Sequence, residues 1–195
     1  DNVNEKSELG VECSVMDWFT DVEARMKRKN QILFSKNNAL LFELDCLIKL
    51  QSHRTLILWS LDLADEAVAD LEQKYPDDLR PRNAVEATRL WAMGSIKMNV
   101  AKHEILNCHA MAKELTTPED IALCHAIGQA CSVVHTPGHA LGFPMYELTA
   151  IVRKHGVENS RSLVENRFLV YIEKLLYWSE HEEKNTGSWA TFLRK

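Results

Sequence analysis

Glycine and proline are scarce in this chain of 195 residues, at 7 and 5. No stretch therefore reads as a low-complexity linker, and a division into two domains finds no seam. Strand signals are sparse too: β-branched residues never alternate with polar ones for more than a few positions. No run is suited to a membrane span or a signal peptide. Positive charge is not in excess either. Lys and Arg number 23 against 28 Asp and Glu, a net charge of -5, which is the wrong sign for a general nucleic-acid binder. One short basic cluster, Arg25-Met26-Lys27-Arg28-Lys29, reads as the solvated end of a helix. The chain begins at Asp1 without a methionine, which leaves room for residues upstream.

The signatures that name a reaction are also missing. There is no HExxH motif, no glycine-rich phosphate loop and no dinucleotide fingerprint. The five cysteines, Cys13, Cys46, Cys108, Cys124 and Cys131, are odd in number and form no CxxC pair. A chain of this length buries a full core without covalent staples. Reduced thiols in a cytoplasmic protein are the expectation.

What is present is helical periodicity. It predicts helices near residues 15–29, 36–51, 54–74, 84–93, 98–115, 118–135, 139–155 and 162–183. Punctuation supports these spans. Asn83 stands three before Glu86, a capping-box arrangement, and Gly94 and Gly156 are placed to close helices. Thr117-Pro118-Glu119-Asp120 combines a cap, a first-turn proline and two acids at the positive end of the dipole. Short connections imply a single all-α domain over residues 1–195, with about eight antiparallel helices in a compact array or a short solenoid-like stack. Residues 1–14 and 185–195 read as loose ends, although Trp189 and Phe192 hint at packing of the tail.

The most unusual absence is local. From Ile121 to Tyr146, 26 residues contain no Asp, Glu, Lys or Arg. A surface helix carries charge on its outer face, so the segment 118–135 should be central and surrounded by protein. On a helical wheel, at about 100° per residue, His125, Gly128, Gln129, Ser132 and His135 form a polar, uncharged stripe. An unpaired buried polar group costs about 1–3 kcal/mol, so the stripe should meet partners, water or a ligand. Folding 98–115 back on 118–135 about Thr116-Thr117 sets Cys108-His109 opposite Cys124-His125. Neighbouring residues diverge by about 100°, so each Cys-His pair can offer only one ligand. A hydrogen-bonded polar cluster is therefore favoured over a metal centre or a Cys131–His135 nucleophilic pair, and no metal or cofactor is expected. Upstream, Asp62 is the only charge between Thr55 and Ala64 and needs a partner. Arg80, Arg82, Arg89 and His109 are the candidates.

Several of these residues sit in a pattern that resembles a known family. His53-Arg54 with Trp59 and Asp62, then Pro76 to Ala87, then Arg89-Leu90-Trp91-Ala92-Met93-Gly94, are followed by Ala101, His109-Ala110, Ala126-Ile127-Gly128-Gln129-Ala130, His135 and His139-Ala140-Leu141-Gly142. Together they are similar to the helical immunity protein five-like family of bacterial polymorphic toxin systems, over a family-like core of about 53–154. The resemblance implies a protein that neutralises a cognate protein toxin by stoichiometric contact. Asp62, Arg80, Arg82, Glu86, Arg89, His109, Gln129, His135 and His139 then stand out as a buried polar cluster or ligand pocket. The alternative is a small-ligand or metal-dependent enzyme using that His/Arg/Asp interior. A third reading is an oligomeric interaction scaffold. A compact domain has little room for two buried polar sites, so Asp62 and at least one of the arginines are expected beside His109, His135 or His139.

Overall fold

The computed structural model describes residues 17–185 and 187–194. Its eight helices are α1 (Trp18–Lys27), α2 (Ala39–Ile48), α3 (His53–Lys74), α4 (Arg80–Ala92), α5 (Met98–Ala112), α6 (Pro118–Ser132), α7 (Gly142–His155) and α8 (Arg161–Glu180). Short 3-10 turns include Pro137–His139, between α6 and α7, and Thr191–Leu193 in the tail. No strand occurs among the described residues. Residues 1–14, expected as a loose end, lie outside the described residues, as does Cys13.

Local chemistry accounts for most helix ends. Asn38 caps α2 by accepting from the Leu40 amide, and Ser52 caps α3 by accepting from the Thr55 amide. Gly94 adopts φ +81° after α4, where its amide donates to the Trp91 carbonyl and the Ser95 amide to the Leu90 carbonyl. That is the left-handed closure expected of a glycine. The start of α4 differs from expectation. The helix begins at Arg80, so Asn83 lies inside it and its amide donates to the Leu79 carbonyl. Pro81 falls in the first turn, where a missing amide hydrogen costs nothing. The Asp78 carboxylate accepts from the Arg80 amide at 3.1 Å in place of the expected cap.

The charge-free helix is central. Packed on α3, α4, α5 and α7, α6 buries Ala122, Cys124, Ala126, Ile127, Gly128, Ala130 and Cys131. Thr117 occupies its cap position without a side-chain bond. The first-turn Asp120 is buried, taking a hydrogen bond from Lys74 Nζ and another from Tyr75 Oη, each at 2.7 Å. An acid placed by the helix dipole thus also ties the end of α3 to the start of α6. On the other side of α3, the fully buried Trp59 donates from Nε1 to the Tyr171 carbonyl of α8 at 2.9 Å.

The C-terminal tail is docked where a loose end was expected. Ala190 and Leu193 are buried. The Ala190 amide donates to the Ala92 carbonyl at 2.7 Å, and Arg54 Nε donates to the Leu193 carbonyl at 2.6 Å. The Arg54 guanidinium also lies over the Trp189 ring, 5.5 Å from its centroid. The signal was in the aromatics: Phe192 meets Trp91 with ring centroids 6.2 Å apart.

Candidate functional site

The fold-back of α5 on α6 brings together the residues that the sequence placed opposite each other. The thiols turn inward and the imidazoles turn outward. Cys108, Cys124 and Cys131 are buried, and Cys108 Sγ reaches the Cys124 carbonyl at 3.6 Å. Burial pushes the Cys124 and Cys131 thiols up to about 12 and Cys108 higher still. Thiols held in that state are poor nucleophiles. His109 and His125 meet Nδ1 to Nδ1 at 2.9 Å, so one ring donates and the other accepts. The Tyr146 ring of α7 lies tilted against His125, at 5.4 Å between centroids.

Close approach around this pair depends on glycine. A Cβ at Gly128 would lie 2.2 Å from His109 Nε2, and one at Gly142 would lie 2.5 Å from Gln129 Oε1. Gln129 Oε1 faces His139 Nδ1 at 3.2 Å, Ser132 donates to the Gly128 carbonyl at 2.9 Å, and His135 Nδ1 pairs with Thr136 Oγ1 at 2.7 Å. The polar stripe of α6 is therefore bonded within the protein. His109, His135 and His139, with Trp91, Met98, Lys102, Ile105, Leu106 and Ser132, line one open groove of about 270 Å³. Among the described residues no three His, Cys, Asp or Glu side chains are grouped so as to hold a metal ion.

The paired imidazoles carry a pH prediction. Burial holds both His109 and His125 below the ordinary histidine value, and their mutual charge adds to the effect at His109. An unfolded histidine titrates near ~6.5. Below that value the unfolded chain binds protons that the folded chain refuses, so the pair's contribution is full above about pH 6.5 and falls as the pH drops through the lowered folded values. Thermal melts taken from about pH 7.5 down to about pH 5 should lose stability more steeply in the wild type than in His125→Gln, which has one fewer such ring. Equal slopes would show that the pair does not titrate during unfolding.

The arginines pair with carboxylates, and none of the three bonds directly to Asp62, His109, His135 or His139. Arg80 pairs with Asp78 and with Glu114, just past the end of α5. Arg82 clasps Glu72 of α3 with both Nε and Nη2 at 2.9 Å. Arg89 pairs with Asp65 and Glu86. These contacts rivet α4 to α3 and α5. Glu86 is exposed, with Arg89 as its partner. Asp62 and Arg89 share a second groove with Trp178 and Trp189, apart from the one that holds His109, His135 and His139.

Asp62 finds neither an arginine nor His109. Its partners are Lys174 Nζ at 2.8 Å and Trp178 Nε1 at 2.9 Å, both on α8. Lys174 also meets Glu66 at 2.7 Å. Beyond it, Glu66, Arg167, the buried Glu147 and the Tyr171 hydroxyl continue one unbroken line of opposite charges and hydrogen bonds between α3, α7 and α8. Sequence reasoning missed Glu147, Arg167 and Lys174, although Glu147 is the first charge after the uncharged run. The geometry also reduces the expected cost of Asp62→Ala. Asp62 is 28% exposed and Lys174 retains Glu66, so the loss should be about 1–2 kcal/mol, against the 3–5 of an isolated buried pair. Urea unfolding of Asp62→Ala measures it, and a loss above about 3 kcal/mol would mean that Lys174 is stranded.

A family model described as "Imm-5 like putative immunity protein" matches residues 46–174. The chain belongs to this family. The matched region is wider than the 53–154 stretch that carried the resemblance, adding the end of α2 and α8 as far as Lys174. The Asp62–Lys174 pair and the Glu147–Arg167 pair therefore lie inside the family region, as do the histidine groove's walls from Trp91 to His139. Neither a curated protein nor a solved structure matches the chain.

Proposed function

We propose that the protein binds a cognate protein toxin and neutralises it by stoichiometric contact, without turnover. The observation that carries this reading is the family match over residues 46–174. The side-chain chemistry supports it. His109 and His125 spend their facing nitrogens on each other, the thiols of α5 and α6 are buried, and Arg80, Arg82 and Arg89 are each neutralised by carboxylates. The thiols are therefore poor nucleophiles, and the arginines are held in ion pairs. What the molecule offers outward is surface.

We place its action in the cytoplasm, in keeping with the free thiols of Cys46, Cys108, Cys124 and Cys131. Among the described residues no helix is long and apolar enough to cross a membrane. The test is co-expression with a toxin-domain protein encoded beside this chain. Restored growth together with a stoichiometric complex on size-exclusion chromatography is the expected result. Toxicity that persists with both proteins present in soluble form would overturn the proposal.

A further inference from the structure

The histidine groove differs in charge from the rest of the molecule. The chain carries a net charge of -5, yet among the described residues no carboxylate lines this groove. Its ionisable side chains among them are Lys102, His109, His135 and His139. Its walls are apolar: Trp91 and Ile105 are buried at its sides, while Met98 and Leu106 stand roughly half exposed at its rim, at 46% and 55%. Phe192 of the tail, 49% exposed, continues the apolar wall, its ring meeting Trp91. An open groove walled by apolar side chains and rimmed by polar ones has the form of an interaction site.

We infer that this groove receives an extended or helical segment of a protein partner that presents carboxylates on either side of apolar side chains. The inference rests on the toxin-binding reading for the identity of the partner, but the groove's chemistry stands on its own. The positive charge of Lys102 selects an acidic partner, and His135 and His139 add hydrogen-bonding imidazoles at the rim. The apolar walls take the intervening side chains. A segment fits better than a small anion, because the groove's walls are apolar and Phe192 extends them onto the tail. The groove itself, at about 270 Å³, has room for only one or two of the partner's side chains.

The test uses the intact protein and four defined probes, followed by nuclear magnetic resonance. The probes are the blocked peptides Glu-Leu-Glu-Phe-Glu, Lys-Leu-Lys-Phe-Lys and Glu-Ser-Glu-Ser-Glu, and free glutarate. The first peptide should shift the resonances of Lys102, Leu106 and His139, and bind at least tenfold more tightly than the other three. Lys102→Glu, on an exposed position, should weaken that peptide about tenfold, which is about 1.4 kcal/mol. Equal binding of the lysine peptide would overturn the charge assignment. Equal binding of glutarate would show a small-anion site in place of a segment site, and no shift with any probe would overturn the proposal altogether. Neutralisation of the toxin by wild type and by Lys102→Glu separates the two readings. If wild type neutralises and the variant does so equally well, the groove is not the interface and the function stands. If the peptide binds as expected and wild type does not neutralise, the function fails and the groove stands.

Discussion

Arg167→Ala should lower the stability of the protein by about 3–5 kcal/mol, the cost of breaking a buried ion pair by removing one partner. Glu147 is buried at the seam of α3, α7 and α8, with Arg167 Nε 2.6 Å from its Oε1. Burial pushes the Glu147 carboxyl up, and the guanidinium, which stays protonated, pulls it back down. Without Arg167 the carboxylate keeps only the Tyr171 hydroxyl, at 2.6 Å, while Glu66 falls back on Lys174. For a domain of this size the melting temperature should fall by roughly 6–20 °C.

The pH dependence identifies the cause. In Arg167→Ala the folded-state value of Glu147, already raised by burial in the wild type, rises further. The deficit is then largest above the raised value and shrinks as the pH falls and the carboxyl takes up a proton. Glu147→Gln combined with Arg167→Met should recover much of the loss, since no charge is then buried without a partner and the amide oxygen can still accept from Tyr171. A loss of less than about 1 kcal/mol in the single variant would mean that water reaches Glu147 and the pair is effectively at the surface.

The second large effect is expected at Trp59, a fully buried indole in the middle of α3. Trp59→Ala should cost about 3–5 kcal/mol through the cavity it leaves. It also removes the donor to the Tyr171 carbonyl. Trp59→Phe restores part of the volume without that donor and should fall between wild type and alanine. Chemical denaturation measures all three. Because Tyr171 accepts from Trp59 through its backbone and donates to Glu147 through its hydroxyl, the Trp59 and Arg167 substitutions should not be additive. Additivity within about 0.5 kcal/mol would show that α8 does not transmit between them.

Features governed by neighbours in the chain were legible from residues alone. The absence of charge from Ile121 to Tyr146 put α6 at the centre, because a helix without charge has no face to give to water. Gly94 and Pro118 act within a turn of their own helices, so composition and spacing locate them. The His109–His125 contact was also within reach, since a short turn fixes how α5 meets α6. The start of α4 was missed because Asn83 offered a capping box, when the helix already begins at Arg80 with Pro81 tolerated in its first turn.

The partner of each charge was decided only by the tertiary structure. Arginine, lysine and carboxylate side chains are long, and each pairs with whichever opposite charge the packed helices bring within about 4 Å. Asp62 was matched with Arg80, Arg82, Arg89 or His109, yet α8 packs on α3 and delivers Lys174 from 112 positions away. Arg80, Arg82 and Arg89 are left to the acids of α3 and α4, to Asp78 and to Glu114 after α5. The one polar centre read from the sequence became two grooves and a line of ion pairs, because helix periodicity sets which face a residue occupies and only the crossing of distant helices sets what that face meets.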